Sequence, residues 1–475
     1  MADIHETDLA VLGAGPGGYA AAFLAADKGM QVTLVDAMAK PGGICLHAGC
    51  IPSKALLHAA HLLTLAHDAS AWGITFASPK IDLDALRGRK DKIVDTMASN
   101  LAELAKRRKV NWISTRARFE DAHTLALDNS STLRFKNCIV ATGSSPVRLP
   151  ALSLDSPRLL DSTSALKLDK VPASLLVVGG GYIGLEMGTV YAALGCKVTV
   201  VELTGGLLPG VDPDLVRPLA DRLQKSFHKI YLNTKVAKIK EVKDGIQATL
   251  EGEEVEEKEP VFERVLVSVG RKPNSKDLGL EKIGVQLDER GFIKVDDRRR
   301  TTLPNIYAVG DVAGEPMLAH KASHEGKIAI EVIAGEPALW DPQAIPAVVF
   351  TDPEIAWCGL TESEARKTKR EVQVGRFHWL ASGRAMTLGR TEGLTKIIVD
   401  PASDRLLGVG IVGAGAGEMI AEAVLAMEMG ATSRDLAMTI HPHPTLTETV
   451  MEGAETLHGL ATHIYKMRKT EGSRK

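Results

Sequence analysis

A chain of 475 residues is too long to fold round one hydrophobic core, and its 45% hydrophobic and 24% charged content is ordinary for a globular protein, so about three domains are expected. A formal charge of −2 gives no general attraction to nucleic acid or anionic lipid. No apolar run reaches membrane-spanning length, and five cysteines are too few for a disulfide scaffold. The first nine residues carry acids and no basic stretch, which argues against a signal peptide and for a cytoplasmic, reducing setting.

The predicted elements begin with DLAVLGAGPGGYAAAFLAADKGMQVTLVD. A short apolar strand turns on Gly13, Gly15 and Gly18, runs into a helix of small residues, and ends in a β-branched strand closing on Asp36. Next comes GGICLHAGCIPSKAL, with Cys45 and Cys50 five residues apart. A pair at this spacing can close a small disulfide on the first turns of a helix, and such a bond against a redox cofactor is a two-electron relay; the alternative is two buried thiols that never pair. From Ala55 to about Arg108 the spacing predicts long helices, broken near Trp72 to Ile81. The apolar strand in FKNCIVATGSSP stops at Gly143.

The opening grammar then repeats. SLLVVGGGYIGLEMGTVYAALGCKVTVVE carries Gly179, Gly181 and Gly184 and closes on Glu202, and in both copies the acid follows the third glycine by 18 residues. The first glycine permits a sharp turn, the second lets a pyrophosphate approach the backbone, and the third lets helix and strand pack closely. The helix start offers unpaired N–H groups to phosphate, and the terminal acid takes ribose hydroxyls. Glu202 would repel a 2′-phosphate, and LTGGLLPG after it supplies no arginine, so the second site reads as NAD, not NADP. FERVLVSVGRKPN and LPNIYAVGDVAG are further strands that stop at Gly270 and Gly310, and Asp311 is placed to hold a flavin polyol hydroxyl. From Ile345 the pattern changes to antiparallel strands in AVVFTDPEIAWCGLT, VGRFHWL, TKIIVD and LLGVGIVG, with helices near Gly417 to Met429 and Leu446 to Tyr465. Cys138, Cys196 and Cys358 read as inert thiols in apolar surroundings, and His320, His324 and His441 as structural.

Four stretches, GGICLHAGCIPSKALLHAA, GGGYIGLEMG, AVGDVAGEPMLAHKASHEG and HPHPTLTETV, resemble the flavoprotein pyridine nucleotide–disulfide oxidoreductases, and the likeness runs across essentially the whole chain. It is nearest to the members that oxidise dihydrolipoamide. The resemblance implies an α/β fold: two Rossmann-like dinucleotide-binding domains, for FAD and NAD, plus a C-terminal α+β dimerisation domain. It divides the chain into an FAD-binding domain with the redox disulfide at 1–147, an NAD-binding domain at 148–276, a central part of the FAD domain at 277–344, and an interface domain at 345–475. It implies a homodimer whose active sites are each shared between two subunits.

By resemblance Cys45 is the outward thiol that exchanges with substrate, and Cys50 is the sulfur against the flavin. His443 is the base, kept on a rigid turn by Pro442 and Pro444, and Glu448 orients it. Lys54 and Glu186 form an ion pair beside the flavin's reactive nitrogen. FAD contacts fall on Gly13, Gly15, Gly18, Asp36, Gly43, Lys54, Ala117, Thr142, Gly143, Asp311 and Ala319. Those to NAD fall on Gly179, Gly181, Gly184, Glu202, Val236 and Gly270, and no metal is expected.

Two positions depart from the family pattern. His47 stands inside the cysteine loop where asparagine is usual, and either alters the thiols or faces solvent. TRARF, Thr115 to Phe119, has Ala117 where the family carries a glycine. With no N-terminal lipoyl segment, the substrate must arrive on another protein. The expected partners are the lipoyl domains and acyltransferase core of 2-oxo acid dehydrogenase complexes, or the lipoylated carrier of glycine cleavage, with no nucleic acid and no membrane. The competing readings are another NAD(P)H-dependent FAD disulfide reductase, of the glutathione or mercuric kind, and a docking scaffold. Against the reductases stand Glu202 and the lack of a second cysteine pair near the C-terminus.

Overall fold

The computed structural model describes residues 4–464. The chain divides into two compact units, one made of residues up to 173 with 237–249 and 260–341, the other of 174–236, 250–259 and 342 onward.

The first unit is built on a seven-stranded sheet. Strands Asn111–Ser114, Val32–Asp36, Ile4–Leu12, Thr132–Val140 and Ile306–Ala308 run parallel, and Thr124–Leu127 and Ala117–Asp121 extend the sheet antiparallel. The register sets Leu12 beside Val35 and Val140, and Val140 beside Ala308. The loops that begin at Gly13, Ala141 and Val309 therefore leave the sheet at one edge, the carboxyl ends of parallel strands where ligands of such sheets bind. Leu9, Val11, Leu34 and Ile139 are fully buried, with Ala21, Ala22 and Ala25 of helix Pro16–Asp27 and Ala329 and Ile330 of helix Ala319–Ile333. The alanines are small enough for these two helices to approach each other and the strands closely.

Helices Cys50–Asp68 and Leu83–Arg107 follow the prediction for this stretch, and residues 73–82 between them lie outside any helix. Asp82 caps the second helix by accepting the Ala85 N–H at 2.9 Å.

In the second unit strands Lys229–Tyr231, Lys197–Val201 and Ser174–Val178 run parallel, and helix Tyr182–Ala193 follows the last of them. A separate five-stranded sheet is antiparallel, in the order Ala347–Val349, Glu354–Gly359, Leu406–Gly413, Leu394–Val399, Gln373–His378. The stretch AVVFTDPEIAWCGLT holds two of these strands, with Thr351, Asp352 and Pro353 in the turn between them. Helices Ala416–Glu428 and Glu448–His458 cover this sheet. The second is shorter than predicted and stops at Gly459, which takes the left-handed conformation; the predicted end, Tyr465, lies outside the described residues.

Two buried polar networks fix the second unit. Trp379 donates its indole N–H to Thr395 Oγ1 at 3.0 Å, and Thr395 meets Thr449 Oγ1 at 2.8 Å, which seats the start of helix Glu448–His458. Lys396, 1% exposed, places Nζ 2.6 Å from both Asp212 and Asp214. Arg376 completes the network through Asp214 and Glu362.

Candidate active site

Strand Ile4–Leu12 runs straight into the first glycine loop, and Gly13 donates its N–H to the Val35 carbonyl at 2.8 Å. A Cβ added to Gly18 would lie 1.8 Å from the Gly13 carbonyl oxygen, so the loop closes only around glycine there. Gly15 is different. It caps helix Pro16–Asp27 in an extended conformation with no side-chain cap, and a Cβ built on it meets nothing within 4 Å. Open ground thus faces a helix start whose N–H groups lack intrahelical partners, the arrangement that takes a pyrophosphate. Gly43 comes up against the same place, where its own Cβ would lie 2.5 Å from Gly15 Cα.

Asp36 accepts the Ala14 N–H on one oxygen and the Met38 N–H on the other, each at 2.7 Å. Its carboxylate therefore shapes the loop, with lone pairs left for a ribose hydroxyl. Thr115 donates its N–H to the Asp36 carbonyl at 2.8 Å, and Ala117 opens the next strand along the chain. Asp311 accepts the Ser144 hydroxyl at 2.5 Å. Thr142 donates its hydroxyl to the Asn274 carbonyl at 2.8 Å, and the Gly143 carbonyl accepts the Asn274 N–H at 2.9 Å. Ala319 begins a second helix with no side-chain cap. Loop, acid, Asp311 and helix start lie in one unit and suit the pyrophosphate, ribose and polyol of FAD. Beneath them sits a group that sequence reading missed. Glu325, fully buried, binds Arg299 and Lys321 and accepts the Gly310 N–H at 2.6 Å, holding the backbone next to Asp311.

The cysteines stand on two short-coupled helices, Gly43–Ala48 and Cys50–Asp68, with their sulfurs 2.7 Å apart. This fits a redox-active disulfide. Cys45 is half-buried and Cys50 exposed. As thiols, their mutual hydrogen bond raises Cys45 above the ordinary thiol value, as do burial and the Cys50 charge, while the Lys54 charge opposes the rise. Tyr19 on the first loop's helix is raised by burial and by the charges of both cysteines, which marks it as their neighbour. His47 is half-buried, and its Nε2 bonds the Pro41 carbonyl at 3.0 Å.

The second loop repeats the first. Gly179 donates to the Val201 carbonyl at 2.9 Å, and Gly181 caps helix Tyr182–Ala193 in an extended conformation with open space before it. Glu202 accepts the Gly180 N–H at 2.7 Å, and the Thr204 N–H and hydroxyl at 2.8 Å. Gly184 is buried on the helix face, and Val236 is buried on strand Lys235–Val242. Gly270, with a φ of +113°, follows strand Arg264–Val267 and belongs to the first unit. Lys54 is the fifth residue of helix Cys50–Asp68 in the first unit, and Glu186 is buried in the second, where it accepts the Phe350 N–H at 3.1 Å.

His443 and Glu448 meet as expected. The His443 Nδ1 is 2.8 Å from one Glu448 oxygen, and the Thr445 N–H donates to the other at 2.7 Å. Burial pushes the Glu448 carboxyl up, but the Thr445 N–H and the His443 ring outweigh it and hold it below the ordinary range. With Nδ1–H given to the carboxylate, the ring presents Nε2 as a proton acceptor. His441 is tied to Glu422 at 2.7 Å and to the Thr439 carbonyl, in keeping with a structural part.

The chain is similar to known proteins in sequence and fold. The family described as pyridine nucleotide-disulphide oxidoreductase matches residues 7–326, and its dimerisation domain matches 345–454. Proteins named dihydrolipoyl dehydrogenase from Haemophilus influenzae and Thermus scotoductus are each 46% identical, over 98% and 96% of this chain and 98% of theirs. Among solved structures, LpdA from Mycobacterium tuberculosis superposes with a TM-score of 0.87 at 28% identity, covering 95% of this chain and 99% of that one. The HOCl-induced flavoprotein disulfide reductase RclA from Escherichia coli gives 0.83 at 27%, with the same coverage.

Proposed function

The chain belongs to the pyridine nucleotide-disulphide oxidoreductase family, and from that membership we propose that it oxidises protein-bound dihydrolipoamide to lipoamide, using FAD and NAD. The observation that carries the reading is the Cys45–Cys50 pair, its sulfurs 2.7 Å apart on helices that abut the first dinucleotide loop. FAD, when bound there, accepts the electron pair from the reduced cysteines and supplies it to NAD as hydride.

The protein's own share is thiol–disulfide exchange. A substrate thiolate attacks Cys45 Sγ; a substrate–Cys45 bond forms as the Cys45–Cys50 bond breaks, and Cys50 leaves as thiolate. The second substrate thiol then attacks the substrate sulfur of that mixed disulfide, closing the lipoamide ring and releasing Cys45 as thiolate. Thiolate is the attacking form, so each substrate thiol must lose its proton. His443 Nε2 receives the first, the departing Cys45 sulfur takes up the second, and Glu448 fixes the tautomer and stabilises the imidazolium. Lys54, about one turn on from Cys50 on the same helix, would set positive charge beside the flavin. Glu202 supports NAD over NADP, since a carboxylate in its place repels a 2′-phosphate.

The functional partition is FAD domain 1–147, NAD domain 148–276, central part 277–344 and interface domain 345–475. The protein acts as a homodimer with shared sites, a reading supported by Leu425, Met429, Met438 and Ile440, which stand exposed in the second unit. Its partners are lipoyl domains of 2-oxo acid dehydrogenase complexes or of glycine cleavage, and its setting is cytoplasmic; among the described residues no helix is long and apolar enough to cross a membrane. Replacing Cys45→Ser tests the relay. Dihydrolipoamide-dependent NAD reduction should fall to background while flavin content stays at the native level, and full retention of turnover would sink the mechanism.

A further inference from the structure

Several imidazole–carboxylate pairs gather in the second unit. Besides His443 with Glu448 at 2.8 Å, His463 Nδ1 meets Glu452 at 2.5 Å and His441 meets Glu422 at 2.7 Å. Glu448, Glu452 and Glu455 are the first, fifth and eighth residues of helix Glu448–His458, so their side chains line one face. Glu452 is only 3% exposed. Among the described residues its carboxylate is bound by Nδ1 of His463 and, at 3.4 Å, by the same residue's backbone N–H. A buried carboxylate needs a hydrogen-bond donor or cation against it, and a histidine bonded through Nδ1 is placed to be one.

Negative charge is crowded on this face. Burial and Glu452 together raise the Glu455 carboxyl, and among the described residues its Oε2 has no hydrogen-bond partner. The His463 charge is one of the influences that lower the Glu448 carboxyl one turn away, after the stronger ones of Thr445 and His443.

We infer that His463, acting through Glu452, is a positioning residue for the His443–Glu448 pair: it cancels the Glu452 charge, so the base responds to one carboxylate and not two. Uncovered, Glu452 would draw a proton onto the neighbouring imidazole and raise the pH at which His443 becomes a base. The inference rests on the reading of His443 as that base.

The other charged groups facing this helix have partners or point to solvent. The helix packs on strands Gln373–His378 and Leu394–Val399 and on helix Ser433–Met438. Arg376 and Lys396 are held by Asp214, Asp212 and Glu362. His458 bonds the Ser433 hydroxyl at 2.8 Å and lies 3.8 Å from Asp404. Asp435 caps its own helix with Thr432, while His378 and Arg434 are exposed. None of these can cover Glu452 in place of His463.

The test is the pH profile of kcat/KM for dihydrolipoamide. His463→Gln keeps a hydrogen bond but removes the cation. Its acid limb should move up by about half a pH unit, the order of shift that one partly screened charge about one helical turn away produces, with the plateau within about twofold of native by the same reasoning. The double variant Glu452→Gln with His463→Gln should return the limb to its native position, and His463→Arg should never move it. His463→Asn carries the same expectation as Gln if Gln impairs folding. An unmoved limb in the single variants, or a shift that persists in the double, overturns the inference. His443→Gln in parallel separates the two levels: full activity there overturns the base reading itself, whereas an inactive His443→Gln with an unmoved His463→Gln limb overturns only the coupling.

Discussion

Gly15 and Gly18 sit three residues apart at the start of one helix, yet substitution at each should do opposite things. Gly15→Ala adds a methyl where nothing lies within 4 Å, on backbone at φ −71° and ψ −177° that alanine adopts without strain. The apoprotein should therefore keep its stability or gain up to about 1 kcal/mol, because alanine has less chain freedom to lose on folding. The same methyl projects into the space before the helix start, where it pushes the FAD pyrophosphate off one or two N–H donors. Hydrogen bonds to a charged group are worth about 1.5–3 kcal/mol each, so FAD affinity should fall roughly a hundredfold. Gly18→Ala instead puts its Cβ 1.8 Å from the Gly13 carbonyl oxygen. The overlap is with backbone and the loop must shift, costing about 3 kcal/mol or more of apoprotein stability. Thermal melting of flavin-stripped protein and titration with FAD by fluorescence quenching separate the two effects. Native FAD affinity in Gly15→Ala, or an apoprotein as unstable as that of Gly18→Ala, would refute the reasoning.

Other perturbations reach the remaining parts of the account. Gly181→Ala, likewise open in front of its helix, should raise the KM for NAD about tenfold or more while leaving flavin content native; an unchanged KM in steady-state assays contradicts the second loop's assignment. Glu448→Gln keeps the link to His443 but removes the charge that stabilises the imidazolium, and should lower kcat/KM for dihydrolipoamide by about 10²–10³; native kinetics would remove Glu448 from the mechanism. Lys396→Met leaves Asp212 and Asp214 without the ammonium that both contact at 2.6 Å, which should cost about 3–5 kcal/mol in denaturant unfolding of the second unit, and an unchanged midpoint would contradict this. Burial pushes the Asp212 carboxyl up, but Lys396, the Ser363 hydroxyl and the Glu362 N–H outweigh it and hold it down at about 2. Because the folded value lies below the unfolded one, this stabilisation is complete above about pH 4 and disappears as pH falls toward 2. In Lys396→Met this acid-linked loss between about pH 4 and 2 should shrink or vanish, because the ammonium that holds the folded carboxyl below its unfolded value is gone, as measured by melting across a pH series.

What could be read in the chain was what short-range geometry dictates. Strand, glycine turn, helix and closing acid recur in both loops because the turn's sterics involve neighbours in sequence, and the helical break before Leu83 follows from local spacing. His443 and Glu448 were legible for the same reason, being five residues apart across a turn. Partnerships set by the folded chain were not. Lys396 and Asp214 are 182 residues apart, and no pattern in either segment announces the other. Glu325 has no neighbour in sequence that marks it, and only the fold sets it under Gly310. Asp36 and Glu202 were expected to meet ribose, and they also hold the backbone N–H groups of Ala14 and Gly180, a use that depends on how loop and strand meet. The bond from His47 to the Pro41 carbonyl spans only six residues, but the ring's orientation depends on the turn that Gly42 and Gly43 make, with φ of +128° and +60°.

The central claim is that electrons pass from a dithiol through Cys45 and Cys50 to a flavin and on to NAD. The most direct measurement is NADH formation on mixing flavin-loaded protein with dihydrolipoamide and NAD, with reduced glutathione as the control donor and NADP as the control acceptor. Rapid NADH formation with dihydrolipoamide and NAD alone is the predicted result. No NADH from dihydrolipoamide, or a preference for glutathione or NADP, would contradict the account.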